Sequence, residues 1–103
     1  MPRGIDLTQC WESGRRVRLR QFDIAWRPNT KGRARIGIVV PLFGLTAVAR
    51  NRLRRRVREI LRRELLGNLP AVDLVVRARR TAYTARFATL RAELADGTAQ
   101  IPR

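Results

Sequence analysis

The residues most able to do chemistry lie in one run, AVARNRLRRRVREILRREL, residues 47–65. It holds eight arginines, the two glutamates Glu59 and Glu64, and a row of aliphatic side chains. The guanidinium fork matches phosphate oxygens, and its flat face stacks on bases. On a helical wheel of about 100° per residue centred on Leu53, Val57, Ile60 and Leu61 fall on one side. Arg55, Arg58 and Arg62 fall opposite, beside Asn51. Arg52, Arg56 and Arg63 form a second flank with Glu59, and Arg50 and Arg54 sit at the edge of the apolar stripe. Two glutamates leave six of these charges uncompensated. Arg50, Arg54 and Arg58 repel one another at i, i+4 spacing. The arginines also crowd the N-terminal half, where the helix dipole is already positive. An ordinary solvated face does not suit such a run. Phosphates near the helix N-terminus would relieve both faults.

The rest of the composition narrows the chemistry. The chain has 103 residues, enough for a single domain over 1–103, and 45% are hydrophobic. Twenty-three basic residues face eight acidic ones, for a net charge of +15. Lys31 is the only lysine. Codon bias in a GC-rich genome accounts for that ratio but not for the net charge, which calls for a polyanionic partner. There is no histidine, and Cys10 is the only cysteine. An intrachain disulfide is therefore impossible and a zinc site all but excluded. No nucleophile–base pair can be assembled, so the chain alone is expected to hydrolyse nothing. MPRGIDLTQC lacks a signal-peptide core, and the uncharged run 36–49 is broken by Gly and Pro and too short to cross a bilayer. These features predict a soluble cytoplasmic protein with no membrane partner.

The elements that must position the arginines can be outlined. Residues 5–13 suit a short helix, with Leu7, Cys10 and Trp11 on one side and Gly14 as its stop. In RRVRLRQFDIAW, charge gives way to alternation: Phe22, Ile24 and Trp26 point one way, Asp23 and Ala25 the other. RPNTKGRA is a turn, and RIGIVVP a second long strand closed by Pro41. Thr46 is a fair N-cap for a helix over about 47–66, whose buried stripe runs Leu53, Val57, Ile60, Leu61, Leu65. Gly67 and Pro70 should end it. AVDLVVRA reads as a strand buried on both faces apart from Asp73. YTARFATLRAELADG reads as a last helix with Tyr83, Phe87, Leu90 and Leu94 on one side. The tail, about 98–103, should be loose. This order of helices and strands predicts helices packed on one small sheet.

A DNA-reading helix would show more Asn, Gln and Ser on its exposed face, and no partner helix for a helix-turn-helix is evident. Phosphate contacts to a structured RNA suit the run better. A general basic or ribosome-associated RNA-binding protein remains open on charge alone. A helix lying on anionic membranes would need the apolar stripe that the core requires.

At AVARNRLRRRVRE the chain resembles the protein subunits of bacterial ribonuclease P. Arg50 and Asn51 match the start of the family signature, Arg54 and Arg55 its basic pair, and Arg58 and Glu59 its end. Asp6, Leu7, Cys10, Trp11 and Gly14 echo the family's first helix, and RIGIVV and AVDLVVRARR its flanking strands. Two basic residues of the pattern are replaced by Leu42 and Phe43 in PLFGLT, and Leu7 stands where the family has an aromatic. Before the first helix, the family's basic segment is reduced to Arg3. The resemblance implies an α+β fold, an α-β-β-β-α-β-α sandwich of the ribosomal protein S5 domain 2-like kind with a left-handed βαβ crossover. It implies a non-catalytic protein subunit of a ribonucleoprotein endoribonuclease that removes the 5′ leader of precursor tRNA. The partners would be a catalytic RNA subunit, with one protein per RNA, and precursor tRNA. Mg²⁺ would be held by the RNA. Carried over, the catalytic-RNA contacts are Arg50, Asn51, Arg52, Arg54, Arg55 and Arg58. The leader cleft would involve Leu7, Trp11, Phe22 and Arg18, although Trp11 and Phe22 read equally well as core. Arg15, Arg16 and Arg20 could add phosphate contacts or form a merely solvated loop, and Trp26 suits core or sheet surface.

Overall fold

Alternation along the strands decides which side of the sheet each residue serves. The computed structural model describes residues 7–102. Positions 5 and 6 of the expected first helix, with Arg3, lie outside that range. The chain runs α1 (Leu7–Ser13), β1 (Arg15–Arg18), β2 (Phe22–Pro28), β3 (Arg35–Val39), α2 (Ala47–Ile60), β4 (Val72–Ala78) and α3 (Phe87–Ala99). The four strands form one mixed sheet in the order β1-β2-β4-β3. β1 with β2 and β2 with β4 pair antiparallel; β3 and β4 pair in parallel and are joined through α2. The architecture is α+β, as expected.

Register assigns the two faces. Ile24 pairs with Val76 and Trp26 with Leu74. These four, with Phe22, enter one buried cluster with Leu53, Val57, Ile60 and Leu61 of the long helix and Leu90 and Leu94 of α3. The intervening residues Ala25 and Val75 belong to a second, smaller cluster with Cys10, against which Leu7, Trp11 and Val39 pack. The sheet is therefore sandwiched between α2 and α3 on one side and the short α1 on the other. Gly37 is a close approach on the α1 side, since a Cβ there would collide with the Leu7 side chain.

Four expectations need correction. The buried run along β4 is broken by Arg77, which is exposed; Asp73 is buried instead, because Arg35 and Asn29 cover its carboxylate. The long helix does not end at Gly67. It widens into a π turn over Leu61–Leu65, tightens into a 3-10 turn over Leu66–Asn68, and extends at Leu69, the residue that Pro70 forces out of helical conformation. Phe87 is 41% exposed and Tyr83 lies in a separate 3-10 turn (Arg80–Thr84), where its hydroxyl donates to Pro41 O at 2.7 Å. The tail is docked: Thr98 and Ile101 are 2% and 1% exposed, and Ile101 joins the main core. Thr46 does cap α2, its hydroxyl accepting from the Ala49 N–H at 3.1 Å.

Candidate RNA interface

The amphipathic pattern of α2 becomes two surfaces. Leu53, Val57 and Ile60 are buried, whereas Asn51, Arg52, Arg55, Arg56 and Arg58 are exposed. Arg50 and Arg54 are half-buried at the seam, and their Nε atoms are buried without a hydrogen-bond partner. None of the arginines of residues 47–65 forms an ion pair among the described residues. Glu64, one of the two glutamates in the run, accepts instead from Arg91 Nε of α3 at 2.6 Å. A ridge of uncompensated guanidinium groups results. Such an array attracts phosphates and gives salt-dependent binding.

On the opposite side of the sheet lies an open groove between α1 and strands β3 and β4, lined by Leu7, Trp11, Val39, Pro41, Val75 and Arg77 together with Thr8 and one carboxylate, Glu12. Trp11 is half-buried at its wall. The guanidinium carbons of Arg16 and Arg77 stand 5.6 and 5.8 Å from the Trp11 ring centroid, both within cation–π range. An apolar floor and aromatic wall with cations at the rim are the elements of a single-strand nucleic-acid groove: bases stack and phosphates meet arginine.

Of the residues expected here, Leu7 and Trp11 line the groove. Arg18 pairs with Asp23 in the β1–β2 register, 3.7 Å from its carboxylate, and its side chain is 82% exposed. Phe22 is not in the groove. It is fully buried in the main core, because its parity along β2 is that of Ile24 and Trp26 and it faces α2 and α3. Arg77 and Arg16 were not foreseen as partners of Trp11. Arg77 shares the parity of Asp73 and Val75 along β4, a signal that needs the sheet register before it can be used.

The other end of the same face of the sheet, where Arg35 and Arg27 lie in register with Asp73, is braced by that carboxylate. Arg35 donates to both carboxylate oxygens, Nε to Oδ1 and Nη2 to Oδ2, each at 2.8 Å, and Asn29 Nδ2 donates to Oδ1 at 2.9 Å. Burial alone would raise the Asp73 pKa. The bonds from Arg35 and Asn29 and the charges of Arg35 and Arg27 outweigh it and hold the carboxyl below its ordinary range. Cys10, packed behind the groove, has its thiol pushed up mainly by burial and also by the Asp73 charge. It serves as a small hydrophobe there. Among the described residues no three of His, Cys, Asp and Glu converge closely enough to hold a metal, and no helix is long and apolar enough to cross a membrane.

An α+β domain with a bare arginine ridge on one side and a cation-rimmed aromatic groove on the other defines a class of RNA-binding proteins. The family model for ribonuclease P matches residues 5–101. The chain belongs to the ribonuclease P protein family. It is 42% identical over 82 residues to a ribonuclease P protein component of Thermus scotoductus, covering 80% of this chain and 48% of that protein. With the component of Chromohalobacter salexigens it shares 45% over 69 residues, covering 66% of this chain and 53% of that one. The chain thus spans about half the length of the curated relatives it matches. Among solved structures it is similar to the Thermotoga maritima ribonuclease P protein, with a TM-score of 0.85, 31% identity and 94% of each chain covered. The Staphylococcus aureus protein gives the same TM-score at 25% identity, covering 98% of this chain and 94% of that one.

Proposed function

We propose that this chain acts as the protein subunit of ribonuclease P in tRNA 5′ maturation. The ridge of Arg50, Asn51, Arg52, Arg54, Arg55 and Arg58 docks the catalytic RNA. The groove of Leu7, Trp11 and Arg77, with Arg16 and Arg18 beside it, holds the single-stranded 5′ leader of precursor tRNA. One observation carries this reading: the two basic surfaces lie on opposite sides of one sheet, so a single domain can hold two nucleic acids at once. Bond cleavage and its Mg²⁺ belong to the RNA, at one protein per RNA. The protein screens phosphate repulsion and raises affinity for the substrate that still carries a leader.

The purified chain, added to a bacterial ribonuclease P RNA and precursor tRNA, is expected to restore cleavage at Mg²⁺ levels too low for the RNA alone. Absence of any gain would remove the proposal. Trp11→Ala is expected to reduce the preference for precursor over mature tRNA about tenfold, the effect of losing one stacked base, while RNA assembly stays intact. Equal weakening for both tRNAs would place the leader elsewhere.

A further inference from the structure

Four of the five large hydrophobic side chains exposed among the described residues fall within seven positions: Leu42, Phe43, Leu45 and Val48. They sit where the chain turns into α2, ahead of the arginine ridge. Phe43 and Gly44 both have positive φ, 51° and 79°, and the Leu45 N–H closes the turn on Leu42 O at 2.8 Å. A left-handed phenylalanine is disfavoured, and such conformations persist where the surroundings impose them and a function needs them. The surroundings here are well defined. Arg80 Nη1 donates to Phe43 O at 3.3 Å, and Tyr83 meets the Phe43 ring edge-on at 6.3 Å while its hydroxyl holds Pro41 O. The aromatic ring is thereby presented outward, 37% exposed, on a braced turn.

The neighbourhood selects the occupant. No acidic residue occurs between Asp23 and Glu59 in the sequence, and Arg80 and the α2 arginines flank the turn. An apolar surface set among unpaired cations fits a ligand that is flat and apolar on its face and anionic along its edge. A second copy of this chain would bring another +15 of like charge to the same place. We propose that the turn at residues 42–45 is a stacking platform, with Phe43 at its centre and Leu42, Leu45 and Val48 around it. The platform receives an unstacked nucleobase of the RNA docked on α2. The proposal rests on the RNA-subunit reading above and adds a base contact to its phosphate contacts.

Phe43→Asn separates stacking from folding, since asparagine tolerates the left-handed region. In filter-binding titrations with a bacterial ribonuclease P RNA transcript, F43N is expected to weaken binding about tenfold, with an unchanged slope of log K against log salt. Its Tm should match or exceed that of the parent, and Phe43→Tyr should bind as the parent does. With Arg55→Ala run in parallel, a shallower slope for R55A together with unaltered affinity for F43N overturns the platform and leaves the RNA reading standing. No binding by the parent chain overturns both. A fall in Tm that tracks the loss of affinity reduces Phe43 to a structural role and also overturns the proposal. So does a dimer of the free chain, seen by sedimentation velocity, that F43N converts to monomer.

Discussion

Replacing Arg52, Arg55 and Arg58 together with alanine is expected to weaken binding to ribonuclease P RNA about 10²–10³-fold at moderate salt, at roughly a tenfold loss for each charge-assisted contact. The slope of log K against log salt should become shallower by about two to three, close to one unit per phosphate contact. All three side chains are exposed on α2, and none forms an ion pair among the described residues. The fold should therefore not notice their loss through broken bridges. It should gain slightly, because alanine is the better helix former and like-charge repulsion at i, i+4 is relieved. Loss of RNA affinity with equal or higher Tm marks a surface maintained for a partner at some cost to the free protein. An unchanged salt slope would show that these arginines do not meet phosphates.

Asp73→Ala is expected to lower stability by about 2–3 kcal/mol, or a Tm fall on the order of 10 °C, the largest effect anticipated for a polar substitution in this chain. The carboxylate accepts three side-chain hydrogen bonds and is almost fully covered, so its removal deprives two side chains, Arg35 and Asn29, of three bonds and loosens the turn between β2 and β3. The pH dependence follows from its lowered pKa. A carboxyl depressed in the folded state contributes its full stabilisation above the unfolded value of about 3.9. That contribution is lost as pH falls from there through the folded value. Thermal melts of the parent chain should therefore steepen in their pH dependence below about pH 4, and those of D73A should be flatter over the same window. Parallel curves for the two proteins would rule out a stabilising role for the Asp73 pairings.

Much of the site was legible before the fold was known, because it depends on local periodicity. The arginine ridge and the apolar stripe of α2 both follow from a 3.6-residue repeat, and the Thr46 cap from the preference of a hydroxyl for the first free N–H groups. Other elements were hidden because their determinants lie far away in the chain. The break between β1 and β2 falls at Leu19, Arg20 and Gln21, none of them a turn-forming residue. It is held from a distance: Glu93 accepts the N–H groups of Gln21 and Phe22 at 2.6 and 3.2 Å, and Arg79 and Thr81 donate to Leu19 O and Arg20 O. Ile101 looked like part of a loose end because only the closed main core offers it an apolar site.

The sequence by itself determined that this protein is a basic domain of helices packed on a small sheet, with an arginine-rich amphipathic helix. Charge balance, helical spacing and strand alternation are properties of neighbouring residues and need no third dimension. Only the tertiary structure decided the groove. Trp11 and Phe22 are similar aromatics near the same elements, yet register sends Phe22 into the core beneath α2 and α3 and leaves Trp11 on the other side of the sheet, between Arg16 and Arg77. Which face an aromatic serves depends on which strand pairs with which and in what alignment. That alignment is set by the packing of residues some fifty positions apart in sequence, such as Ile24 with Val76.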